Sequence, residues 1–183
     1  NQELFRASQE RGLELQKFEV LGVLGIGGSS LGPKVIDQFL ESERRLVVCE
    51  NVDPLSFAQK LKELELSNTH WLVVSKSGRT LETLSQLSLL VQKYKNQGLS
   101  LGEHFTVISD PGENPLTQWA VEAGVFRLPI PPEVGGRFSV LTPVGMVPAS
   151  YLGHSVEEFR RGATEANLNQ ELLVEAVAQS LAS

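Results

Sequence analysis

Six consecutive residues, Ser75-Lys76-Ser77-Gly78-Arg79-Thr80, bring together three hydroxyls and two cations. They follow the apolar run Trp71–Val74 and precede a helical pattern from Leu81 to Tyr94. A strand therefore delivers the cluster to the start of a helix, where backbone N–H groups lack partners and carry partial positive charge. That is the chemistry of an anion site, and of phosphate in particular. Ser75, Ser77 and Thr80 add side-chain donors, and Gly78 lets the backbone come close to an anion. A plain strand-to-helix loop with Thr80 as its N-cap would account for Thr80 and Gly78. It would not account for so many hydroxyls and cations in so short a span.

Two further segments have unusual chemistry. Gly25-Ile26-Gly27-Gly28-Ser29-Ser30-Leu31-Gly32-Pro33 can present a backbone N–H from Gly28 and a hydroxyl from Ser29 to a sugar. A dinucleotide-binding turn would need a third glycine where Ser30 stands, although Glu50 or Asp53 after the second strand would suit a ribose. A phosphate loop of the nucleotide-hydrolase kind would need Lys-Ser or Lys-Thr directly after Gly32, where Pro33 stands. The plainest reading is a tight turn with Pro33 in the first turn of a helix. Gly135-Gly136-Arg137-Phe138-Ser139 sets an arginine after a flexible glycine pair. Its planar fork suits a polyol oxygen, a phosphate or a developing enolate. Phe138 reads as a core residue. His70, His104 and His154 are isolated, without metal-ligand spacing. No Gly-x-Ser-x-Gly turn marks a nucleophile. Glu82 and Glu133 are general-base candidates, Glu82 also complementing the dipole of its helix.

Elements that would position these loops alternate along the chain. Strand-like runs fall at 20–25, 45–49, 71–75, 104–109 and 125–128, with helical patterns between them at 33–40, 55–64, 81–94 and 114–123. A charged helix occupies 1–18, and a small-residue helix near 142–152 precedes a helical tail from Ser155. The runs are apolar on both faces, as parallel strands covered on each side must be. The expected fold is α/β, a doubly wound five-stranded parallel sheet in the order 2-1-3-4-5 flanked by helices. In that order the switch point lies between the first and third strands, so topology brings the Gly25–Pro33 and Ser75–Thr80 loops side by side.

The chain has 183 residues, with 16 basic and 22 acidic side chains giving a net charge of −6. That balance excludes nucleic acid and anionic membrane as partners and leaves the local cations for a small anionic ligand. One cysteine, Cys49, allows no internal disulfide and reads as a buried thiol in an apolar run. No stretch approaches the roughly 20 apolar residues that cross a bilayer, and the expected location is cytoplasmic. The chain opens on Asn1 without methionine and closes on an amphipathic pattern, 171–179, with nothing to pack on. The first is expected of processing or of a piece of something longer, and the second of such a piece.

Taken in order, Gly25–Pro33, Ser75–Thr83 and Val134-Gly-Gly-Arg-Phe-Ser139 resemble the corresponding segments of the phosphoglucose isomerase family, which is built from two sugar-isomerase (SIS) domains. Asn51-Val-Asp53 also looks like the family's pattern. The resemblance covers nearly the whole chain. It implies a flavodoxin-like SIS domain at 19–139, an N-terminal helical segment at 1–18, and a helical extension at 140–183 leading toward a second SIS domain. It implies that Ser75, Lys76, Ser77 and Thr80 hold a substrate phosphate, and that Gly28, Ser29 and Gly136 contact the sugar. Arg137 would stabilise a cis-enediolate as a proton moves between C1 and C2 of glucose 6-phosphate and fructose 6-phosphate. It implies no metal or organic cofactor, and a homodimer of the full-length protein. The family's phosphate loop often reads Ser-Lys-Thr-Phe-Thr-Thr, so Ser77, Gly78 and Arg79 depart from it. The family's glutamate base, ring-opening histidine and C-terminal lysine lie in downstream motifs that nothing after Ser139 matches. Glu133 and His154 do not stand in for them, and the chain alone is expected to be inactive. A stand-alone SIS module that senses a phosphosugar is the alternative.

Overall fold

Strands that are apolar on both faces demand cover on both sides. The computed structural model describes residues 2–39 and 41–182 and provides that cover in three layers. β1 (Val20–Leu24), β2 (Arg45–Cys49), β3 (Thr69–Val74), β4 (Phe105–Ser109) and β5 (Phe126–Pro129) form one parallel sheet in the order β2-β1-β3-β4-β5. The expected fold class and strand order are those observed. Alternate side chains sort to opposite faces, as the two-residue period requires. Leu21, Val23, Leu72, Val74 and Ile108 face one core, while Val20, Leu24, Trp71, Val73 and Val107 face the other.

α1 (Gln2–Glu14), α2 (Gly28–Phe39) and α7 (Pro143–Tyr151) cover the first face. α3 (Pro54–Lys62), α4 (Leu81–Asn96) and α6 (Pro115–Glu122) cover the second. α5 (Leu101–His104) is a single turn before β4, and α8 (Val156–Leu168) and α9 (Gln170–Ala182) follow α7. All nine residues of α7 are buried, the condition of a helix without a polar stripe. It therefore lies in the same core as the sheet, although it falls within the stretch 140–183. α1 approaches it closely at Gly12, where a Cβ would lie 2.4 Å from the Ser150 Cβ. Ser150 Oγ donates to the Gln9 carbonyl at 2.8 Å. On the other face, Gly22 leaves room for the Trp71 ring, whose indole N–H donates to the Tyr94 hydroxyl at 2.9 Å.

Three local features differ from expectation. α2 begins at Gly28, not near Pro33. The Ser30 and Leu31 N–H groups already bond to the Gly27 carbonyl, which leaves Pro33 in the second turn, where its fixed φ suits the helix and one bond is forgone. The run after Gly135, given no element from the sequence, forms a 3-10 segment, Gly136–Leu141. Phe138 is not a core residue but 76% exposed. Among the described residues, no helix is long and apolar enough to cross a membrane.

Candidate functional site

The sheet register aligns Leu24 with Cys49 and with Val73, and Val74 with Ile108, so the loops after β1, β2, β3 and β4 open on one edge. The loop after β3 carries the hydroxyls. Ser75 is buried at its base and its Oγ lies 2.8 Å from Thr80 Oγ1. Thr80 holds the N-cap position of α4 with extended backbone angles, yet its side chain makes no capping bond. α3, α6, α7 and α8 are each capped by a side chain, from Asp53, Asn114, Thr142 and Ser155. α4 thus has a capping residue of the right type whose hydroxyl is turned to Ser75 instead. Among the described residues the N–H groups of its first turn meet no side-chain acceptor, which is the condition for taking an anion. Ser77 is exposed and its Oγ accepts the Arg79 N–H at 3.2 Å. Gly78 takes φ +60° against the Asn114 carboxamide.

The other two segments meet beside this loop. A Cβ on Gly28 would lie 2.1 Å from the Gly136 carbonyl oxygen and 2.8 Å from the Arg137 Cα. Ser139 Oγ donates to the Gly136 carbonyl at 2.7 Å and reaches the Gly28 carbonyl at 3.5 Å. The backbones of the first glycine loop and of the Gly-Gly-Arg segment are therefore in contact, which only a glycine at position 28 permits. Ser29 is half-buried next to them. Arg137 is exposed, and its guanidinium has no protein partner among the described residues. The Lys76 ammonium turns away from the hydroxyl cluster, donating to the Pro132 carbonyl at 2.9 Å and to the Val134 carbonyl. All the expected site residues thus belong to three mutually adjacent segments at one end of the sheet. Asn114 and Ser109, which sequence reasoning did not select, support the phosphate-type loop from below. The Asn114 Nδ2 donates to Ser109 Oγ, which donates to the Lys76 carbonyl. Asn114-Pro115 reads as a helix start, but its contact with Gly78 arises from the parallel pairing of β3 and β4.

The remaining candidates have other duties. Glu50 is paired to Lys34 at 2.6 Å, and that hydrogen bond holds its carboxyl below the usual range. Asp53 caps α3 through Ser56 N–H at 2.7 Å. Each acid is thus already engaged within the protein. Cys49 is buried, which pushes its thiol up to about 11 and leaves it unreactive. His70 and His104 lie in the core at the opposite end of the strands, joined to the carbonyls of Glu103 and Thr69. Glu82 and Glu133 are exposed.

A parallel 2-1-3-4-5 sheet carrying these loops at its carboxyl edge defines an α/β domain of the sugar-phosphate isomerase class. A glucose-6-phosphate isomerase from Chlamydia trachomatis superposes with a TM-score of 0.72 at 36% identity, over 83% of this chain and 30% of that one. A hypothetical protein of Thermus thermophilus superposes with a TM-score of 0.83 at 37% identity, over 91% and 40%. The phosphoglucose isomerase profile matches residues 2–179, and the chain belongs to the phosphoglucose isomerase family. The glucose-6-phosphate isomerase of Carboxydothermus hydrogenoformans is 40% identical over 163 residues, 82% of this chain but 35% of that protein. The chain spans about a third of the length of the curated relatives it matches.

Proposed function

We propose that this chain is the substrate-phosphate-binding part of an aldose–ketose isomerase interconverting glucose 6-phosphate and fructose 6-phosphate. The single observation that carries the reading is the uncapped head of α4, with the Ser75–Thr80 hydroxyl pair beneath it and Gly28, Gly136 and Arg137 alongside. The phosphate is held by the hydroxyls of Ser75, Ser77 and Thr80, by the first-turn N–H groups and by the backbone of Lys76. The sugar lies along Gly28, Ser29 and Gly136. A proton passing between C1 and C2 leaves negative charge on the enediolate oxygens, and the unpartnered Arg137 guanidinium is suited to stabilise it. Anchoring at the phosphate, remote from the reacting carbons, orients those carbons toward the acid–base groups. We assign those groups to the part of the family's chain beyond the matched third. Membership of an isomerase family favours this reading over a phosphosugar-sensing module.

A thermal-shift titration with fructose 6-phosphate tests the reading. At about 100 times Kd, binding stabilises the chain by ~2.7 kcal/mol, a rise of several degrees in Tm. The Ser75→Ala/Thr80→Ala variant is expected to abolish the rise, and Arg137→Ala to retain most of it. An undiminished shift in the double variant would remove the phosphate from this loop.

A further inference from the structure

Lys76 belongs by sequence to the anion loop, yet it fastens three loops together. Its backbone carbonyl accepts from the Asp110 N–H at 3.0 Å and from Ser109 Oγ at 3.3 Å, tying it to the segment after β4. Its ammonium donates to the Pro132 carbonyl at 2.9 Å and to the Val134 carbonyl, tying it to the segment after β5. That second segment has a particular need. Pro131 and Pro132 have no N–H to donate, so this run has carbonyls to offer but few donors of its own. Within the run, the Val134 N–H donates to the Pro131 carbonyl at 3.0 Å. An ammonium answers the deficit with charge-assisted bonds to two carbonyls at once. Immediately beyond Val134 come Gly135 and Gly136, which hold no conformation by themselves, and then Arg137. On their far side, Ser139 Oγ and the close approach of Gly28 fix the Gly136 carbonyl. The glycine pair is thus suspended between two anchors, and Lys76 is one of them.

We propose that Lys76 is a positioning residue: its ammonium holds the Pro132–Val134 run so that Gly136 and Arg137 stand over the sugar, and it does not grip the phosphate through its side chain. The inference rests on the proposed function for what Arg137 acts upon. The anchoring itself does not depend on that function. The loop that receives the phosphate and the segment that answers the enediolate charge are then mechanically one unit, joined through a single side chain.

The test uses the protein at its natural length, with Lys76→Met and Lys76→Arg. Three readouts are followed: tryptic cleavage after Arg137 by mass spectrometry, the Kd for inorganic phosphate by thermal shift, and kcat for fructose 6-phosphate. Lys76→Met is expected to speed cleavage after Arg137 about tenfold, the effect of losing charge-assisted hydrogen bonds from a local closing equilibrium. It should lower kcat by at least about tenfold while the phosphate Kd stays within about threefold. Lys76→Arg, whose fork still reaches two carbonyls, should recover most of both. A phosphate Kd raised about tenfold, or cleavage unchanged in the folded Lys76→Met protein, overturns the proposal. If the wild-type protein shows no isomerisation, the proposed function fails, and the cleavage rate alone still decides whether Lys76 anchors the segment.

Discussion

Gly27 and Gly78 both take φ +60° at the mouth of the site, and their surroundings differ. A Cβ on Gly27 would meet nothing within 4 Å, whereas one on Gly78 would lie 1.7 Å from Asn114 Oδ1. Asn114 cannot yield, because the same carboxamide accepts the Thr117 N–H and donates to Ser109 and Gly112. Gly27→Ala is therefore expected to cost about 1–2 kcal/mol for the left-handed backbone alone. Gly78→Ala adds overpacking of about 1–3 kcal/mol, measured by urea denaturation of the two variants. Equal losses would mean that the Asn114 contact is soft. The residue types of this site were legible from the sequence, since hydroxyls, cations and glycines in a strand-to-helix loop have few other uses. The direction of the Lys76 side chain was not, because its acceptors lie more than 50 residues away on another loop. Nor was the exposure of Phe138, since a phenylalanine after two glycines carries no periodicity to show which way it faces.

Among the elements, α4 carries a threonine at its N-cap whose hydroxyl makes no capping bond. Thr80→Asp would supply an acceptor where none now serves the first turn, with a charge that suits the dipole. It is expected to raise stability by about 0.5–1 kcal/mol, and to weaken inorganic phosphate by at least about tenfold, since a fixed carboxylate competes for the same N–H groups. Denaturation and phosphate thermal shift measure the two effects, and a variant that binds phosphate as before would refute the role given to the head of α4. The alternation of strands and helices could be read because strands apolar on both faces and helices with one polar stripe have different periods. α7 was legible only as a small-residue helix within the extension 140–183; its lack of a polar stripe is the signal that could have placed it in the core. The start of α2 was hidden: Gly27, Gly28 and Gly32 suppress the helical signal, yet Gly28 admits the Gly136 backbone and Gly32 the Val140 side chain.

For the molecule as a whole, the end of the sheet opposite the site carries the clearest dependence on pH. Thr106 Oγ1 accepts from Arg11 Nε at 3.1 Å and from Nη2 at 2.8 Å, so its own hydroxyl proton is left for His70 Nε2 at 2.9 Å. His70 Nδ1–H then donates to the Glu103 carbonyl at 3.0 Å. Burial, with Arg11 close by, holds this imidazole neutral and its pKa well below 6.5. The unfolded chain takes up a proton near 6.5 that the folded chain refuses, so stability is full above about pH 6.5 and falls as pH drops below it. Denaturation midpoints between about pH 7 and about pH 5 should decline with a slope near one proton, and His70→Asn should flatten it. The depressed carboxyls of Glu50 and Glu157 act only below their ordinary value of 4.5, outside that window. The pairing of α1 with α7 bears on how the chain is made. Ser150 Oγ bonds to the Gln9 carbonyl across 141 residues, and Gln16 reaches the carbonyls of Ser150 and Tyr151. During synthesis, at about 5–20 residues per second, α1 leaves the ribosome on the order of ten seconds before its partner exists. Through that interval Leu15 and Phe18 have no α7 to cover them, and the last layer of the core closes only when the nascent chain delivers Tyr151.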